Sequence, residues 1–150
     1  MKASIAGRIR NTNLPKAKAL LPLFEAIINA FQAIEEAGGK GHYIRITTER
    51  QGNLDDGKPG PVEAFTIKDS GIGFTDSNFD SFETVDSPYK APRGGKGLGR
   101  FLWLKAFARV EIESHFRVAG AAALVCRKFS FIANEDELPR AVIPSDRKAP

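Results

Sequence analysis

The chain is poor in the residues that hold metals and disulfides: one cysteine, one methionine and two histidines in 150 residues. A lone Cys126 excludes an internal disulfide. With His42 and His115 far from it in sequence, it offers no metal-ligand spacing. Cys126 therefore reads as a small core residue in a reducing, cytoplasmic compartment. The longest uncharged apolar run, residues 118–126, covers nine residues. A bilayer needs ~20, so no membrane span is expected. Residues 1–8 contain no apolar stretch of a secretory leader. Two common phosphate motifs are missing as well. Lys40, Lys58 and Lys96 each follow a glycine, but Gly41, Pro59 and Gly97 come next, so there is no G-x-x-x-x-G-K-[ST]. No G-x-G-x-x-G follows a first strand, which excludes a Rossmann site.

What is present describes one soluble globular domain with a tail. Hydrophobic residues make up 42% and charged residues 27%, and eleven phenylalanines exclude general disorder. The net charge, 22 − 18 = +4, is mild, so its placement matters more than its sum. Residues 1–15 read as a basic N-terminal arm, 16–133 as the domain and 134–150 as an exit linker or tail. Helical periodicity runs over 16–37, with Leu20, Leu23, Ile27, Phe31 and Ile34 on one apolar face and Pro22 near the start. Period-two alternation marks strands at 42–48 and 62–68, joined by a Gly-, Asp- and Pro-rich loop over 51–61. Helices are expected around 78–84 and 101–107, and strands at 109–118 and 124–132. Paired strands without crossovers predict an α+β fold, a two-layer sandwich in which a mixed, mostly antiparallel sheet is covered on one face by helices.

Three constellations carry chemistry. Glu25, Asn29 and Gln32 fall within about 60° of one another around the long helix, opposite its apolar face. A solvated surface accounts for such a face, but Asn is a poor helix former, and a carboxylate one turn from a carboxamide can hold a water and a hard cation. Next, a strand ends in Asp69-Ser-Gly71-Ile72-Gly73-Phe74. This suits a capped turn. It also suits a backbone that a flat ligand can approach closely, with the aspartate accepting from an exocyclic amine. The third is Gly94-Gly95-Lys96-Gly97-Leu98-Gly99, four glycines in six residues before an apolar helix. Main-chain N–H groups at a helix N-terminus bind anions. Residues 90–109 agree, holding Lys90, Arg93, Lys96, Arg100, Lys105 and Arg109 and no acid.

In this order and spacing the three resemble the boxes of the GHKL superfamily, which includes DNA gyrase, the large heat-shock chaperone, histidine kinases and the mismatch-repair MutL proteins. Its Bergerat ATP-binding fold has an E-x-x-x-N box, a D-x-G-x-G box and a G-x-x-G-x-G box. Glu25-Ala-Ile-Ile-Asn29, Asp69-Ser-Gly71-Ile-Gly73 and Gly94-Gly-Lys-Gly97-Leu-Gly99 look like these. The resemblance covers residues 17–133.

The resemblance implies ATP and Mg²⁺ as cofactors. Asn29 would ligate the ion, and Asp69 would bind the adenine amino group. The stretch Gly71, Ile72, Gly73, Phe74 would lie along the base. Residues 74–93 would form a lid, and Gly94, Gly95, Gly97, Leu98 and Gly99 would cradle the phosphates. Lys90 or Lys96 would reach the γ-phosphate, with Lys96 grouped with Glu25 as catalytic. Gln32 and Ala33 stand where the family often has an acid followed by alanine; Gln32 can hydrogen-bond a water or a base edge. Glu25 stands where the family's hydrolases keep the base for water, which favours ATP hydrolysis. The implied protein is a nucleotide switch: the N-terminal module of a larger protein or the binder of a partner, dimerising with ATP, with DNA contact open to the basic segment. Two alternatives remain: a kinase of the histidine-kinase or anti-sigma type, and a module that binds without hydrolysing.

Overall fold

A computed structural model describes residues 5–38, 40–52, 55–84, 99–132 and 141–147. The chain divides into two compact units, one of Met1–Glu25 with Gly73–Pro150, the other of Ala26–Ile72. It is α+β, and every strand pairing is antiparallel. The single sheet expected from the sequence is replaced by two, because each hairpin pairs with itself.

The first unit opens with helix α1 (Ile5–Asn11), where an arm was expected. It packs against α4 (Gly99–Ala106). A single 3₁₀ turn, Lys16–Lys18, precedes α2 (Leu21–Glu36), the helix at whose Glu25 the two units divide. Pro22 lies in the first turn of α2, where its missing N–H would have no helical partner anyway. The Trp103 indole Nε1–H of α4 donates to the Pro22 carbonyl oxygen at 3.0 Å, a buried bond that ties the two helices.

Helix α3 (Asp76–Glu83) is capped by Thr75, whose Oγ1 accepts the Asn78 N–H at 3.3 Å. Strands β3 (Arg109–Arg117) and β4 (Leu124–Ile132) form a hairpin in which Ser114 faces Arg127 and Ile112 faces Phe129. The two-residue strand β5 (Ile143–Pro144) adds to β4, so part of the expected exit linker belongs to the sheet. The core is aromatic. Phe79, Phe101, Phe116, Phe129 and Phe131 are buried, and Phe82 touches Phe74, Trp103, Phe129 and Phe131 at centroid distances of 5.4–6.1 Å.

The second unit holds the rest of α2 and the hairpin of β1 (Ile44–Arg50) and β2 (Val62–Asp69). The apolar face expected on α2 is covered only in part. Leu23, Ile27 and Ile34 are half-buried, but Leu20 and Phe31 are exposed, in line with Phe24 and Ile28, while Pro22 and Ala30 are buried. Bulky apolar residues lie on several sides of this helix, so periodicity alone does not select the covered face. Small residues do, because they let backbone approach. By length and composition, the segment Lys16–Glu36 is also long and apolar enough to cross a membrane. A search for unbroken apolar runs misses it because isolated polar residues interrupt it.

Candidate functional site

The three constellations are best taken one unit at a time. In the first unit, Gly99 begins α4 beside Glu25: a Cβ on Gly99 would overlap the Glu25 carboxylate. Glu25 of the first box and Gly99 of the third are thus brought together. The Trp103–Pro22 bond explains how, since it fixes the start of α2 against α4. Glu25 is half-buried and makes no hydrogen bond or ion pair among the described residues. A carboxylate at a helix N-terminus also meets the favourable end of the helix dipole.

In the second unit, the Asp69 turn is built onto α2. Asp69 Oδ1 accepts the Gly71 N–H at 2.9 Å, closing an Asx turn. The Ile72 N–H donates to the Ala33 carbonyl oxygen at 3.0 Å. A Cβ on Gly71 would stand 2.5 Å from the Ala33 carbonyl carbon, so glycine is demanded here by the chain's own packing, whatever ligand the turn also admits. The turn is anchored from behind as well: Ser70 Oγ accepts the Tyr43 N–H at 2.9 Å, and the His42 Nδ1 atom lies 2.7 Å from the Ser70 carbonyl oxygen. Asn29 and Gln32 are half-buried on α2, and Gln32 Oε1 is buried with no hydrogen-bond partner among the described residues.

Gly73 and Phe74 belong to the first unit. Gly73 has φ +81°, and a Cβ there would stand 2.7 Å from Ser114 Oγ, which also accepts the Phe74 N–H at 2.7 Å. The Phe74 ring packs edge-on against Phe82 and Phe129. Residues 74–84, expected to open the lid, are therefore committed to the aromatic core through Phe74, Phe79 and Phe82. The rest of the lid and Lys90, Gly94, Gly95, Lys96, Gly97 and Leu98 lie outside the described residues.

The basic run also needs revision. Arg100 is buried, with its guanidinium 5.3 Å from the Phe82 ring centre and 5.0 Å from that of Phe101. Arg109 pairs with Glu111 at 2.8 Å. Arg100 is thus withdrawn from the surface, while Arg109 stays on it in an exposed ion pair. A surface depression lined by Leu14, Pro15, Lys16, Ala19, Ala106 and Phe107 contains none of the candidate residues.

Two groups escaped the sequence reading. Arg127 is buried between Phe79 and Phe116. It donates through Nη1 to the Phe74 carbonyl oxygen at 2.8 Å and through Nη2 to Asp76 at 2.6 Å. It thus holds α3 onto β4. The other group lies on the opposite face of the hairpin, where His115 stands directly across from Cys126 with Glu113 beside it. The sequence distance that argued against such a grouping is erased by hairpin pairing.

Asparagine and glutamine amide oxygens with a carboxylate are the hard oxygen donors that Mg²⁺ prefers. No family model, curated protein or solved structure matches this chain.

Proposed function

We propose that the chain is a GHKL-type module with a Bergerat ATP-binding fold that binds ATP with Mg²⁺ and hydrolyses it as a nucleotide switch. One observation carries this reading: Glu25 lies against Gly99 at the start of α4 so closely that no side chain fits between them. A hydrolase needs that pairing, a carboxylate base beside the end of a glycine-rich phosphate cradle. The Asx turn at Asp69 supports it. With Oδ1 occupied by the Gly71 N–H, Oδ2 is left to accept from the adenine amino group.

In this mechanism Mg²⁺ supplies charge neutralisation along the phosphates. Asn29 would hold the ion through its carboxamide oxygen, and Gln32 would hydrogen-bond a water or a base edge. Glu25 takes a proton from the attacking water. Main-chain amides entering α4 hold the phosphate oxygens. Lys90 and Lys96 are the candidates for the γ-phosphate.

The test follows labelled γ-phosphate. The wild type should release it to water in a Mg²⁺-dependent way. Glu25→Ala should keep nucleotide binding while turnover falls by about 10²-fold or more. Asn29→Ala or Asp69→Ala should remove binding. Unchanged turnover in the Glu25 variant would remove the catalytic assignment, and label appearing on protein would replace hydrolysis by phosphotransfer.

A further inference from the structure

The face of the β3–β4–β5 sheet opposite the aromatic core carries side chains that the nucleotide reading leaves unused. Glu113 and His115 are two apart on β3 and so share a face, and Cys126 stands across from His115 in register on β4. One ligand atom from each residue lies within 4.8 Å of the other two. His115 Nε2 is 2.7 Å from Glu113 Oε1 and 3.8 Å from Cys126 Sγ, while its Nδ1 is 2.7 Å from Ser145 Oγ. His115 and Cys126 are buried to 7% side-chain and 2% residue exposure, and Glu113 reaches solvent at 44%.

We propose that Glu113, His115 and Cys126 form a three-residue site for a thiophilic divalent cation of the zinc class, with water as the fourth ligand. The distances argue for it. Metal bonds of ~2.3 Å to sulfur and ~2.05 Å to nitrogen at a tetrahedral centre set the S···N edge at ~3.6 Å, so the 3.8 Å separation needs little adjustment. The N···O edge is ~3.4 Å in the same geometry, so Glu113 must withdraw by ~0.7 Å from its 2.7 Å contact, which its solvent-facing side chain allows. As the pair stands, Nε2–H donates to Glu113 Oε1. On binding, the imidazole gives up the Nε2 proton and takes one at Nδ1, whose N–H donates to Ser145 Oγ, so the Nε2 lone pair faces the ion with the usual outer support of a metal-bound imidazole and no net change in histidine charge. A thiolate ligand selects against magnesium and calcium, so this site is distinct from any nucleotide-bound ion.

The charge balance closes. Binding breaks the Cys126 S–H bond, forms S–metal, and sends one proton to solvent per ion. Thiolate and carboxylate then cancel the dication. Lys128 and Arg147, 3.2 and 3.3 Å from Glu113 oxygens, remain as outer partners of that carboxylate.

The probe is cobalt(II), titrated under reducing conditions into the full chain without nucleotide. The expected result is one equivalent bound, a thiolate-to-cobalt charge-transfer band, one proton released and displacement by zinc. Cys126→Ala should abolish the band. Should that variant fail to fold, two substitutions at polar side chains decide the matter. Glu113→Gln should keep the band but weaken cobalt binding at least about tenfold, and Ser145→Ala should weaken it about 10–100-fold. Absence of the band in the wild type overturns the proposal, as does undiminished cobalt affinity in both the Glu113 and the Ser145 variants; the plain hydrogen-bonded chain Ser145–His115–Glu113 would then stand alone.

Discussion

The two hairpins are close in length and identical in sense, yet they live in different environments. In β3–β4, one face supplies Ser114, Phe116, Arg127, Phe129 and Phe131 to a buried layer. In β1–β2, every residue of β1 after Ile44 is exposed, and β2 covers only Ala64, Phe65, Ile67 and Asp69 in part. Alternation is thus enough to make a hairpin and not enough to bury it. Burial comes from what packs on the strand: Phe79 and Phe82 of α3 lie against Phe129 and Phe131 of β4. An isolated two-stranded hairpin is marginal in water, so the second unit depends on its helix and on the turn joining them.

The largest expected effect breaks this contrast directly. Phe131, 1% exposed and edge-on to Phe82, should cost about 3–5 kcal/mol when replaced by Ala. Ile46→Ala on β1, at 46% exposure, should cost less than about 1 kcal/mol. Denaturant titration of both variants is the measurement. A heavy cost at Ile46 would mean that β1 is covered by something the described residues do not include.

Arg127 comes next. Arg127→Met keeps the apolar stem between Phe79 and Phe116 and removes the donors to Phe74 and Asp76, an expected loss of about 2–3 kcal/mol. Asp76→Asn should cost under about 1 kcal/mol, since that carboxylate is 77% exposed. Equal losses at both positions would show the ion pair, and not the carbonyl bond and ring stacking, to be what fastens α3.

This arginine marks the boundary of what was legible in the chain. Helix α2 and strands β1 and β2 follow from periods of 3.6 and two, because those periods register local backbone geometry, whereas α3, α4, β3 and β4 are marked out by short apolar stretches between turn signals. The Glu25–Gly99 approach was foreshadowed by residue types at fixed spacing. Arg127 was not, since a charge inside an apolar strand reads as a solvated residue until its cage is visible. The same holds for β5, two residues long and too short to show a period, and for α1, whose mixed basic sequence has no clear apolar face. The His115–Cys126 pairing depends on hairpin register, which a list of spacings does not encode.

The glycines sharpen the comparison, because a Cβ at two of them would meet different kinds of neighbour. At Gly71 a Cβ would meet the Ala33 backbone, which cannot retreat without moving α2, so Gly71→Ala should destabilise by about 1–3 kcal/mol. At Gly99 the neighbour is the end of the flexible Glu25 side chain. Gly99→Ala should therefore leave stability within about 1 kcal/mol of the wild type, alanine being the better helix former. It should nevertheless lower ATP turnover at least about tenfold by displacing the proposed base. Turnover unchanged by Gly99→Ala would separate Glu25 from the chemistry.

The smallest effect belongs to the loop of the exposed hairpin. Asp56 is held below its ordinary carboxyl value of 3.8, first by its side-chain bond with Lys58 and then by the Lys58 amide. A lowered folded-state pKa means that this contact favours the folded chain at pH above 3.8 and that the benefit fades as pH falls through the depressed value. Both side chains are well exposed, so salt screens the pair and the benefit is small. Asp56→Asn should therefore melt slightly below the wild type at neutral pH and low salt. The gap should narrow with added salt and close on acidification. A gap that widens at low pH would assign Asp56 a role in the folded hairpin other than its bond to Lys58.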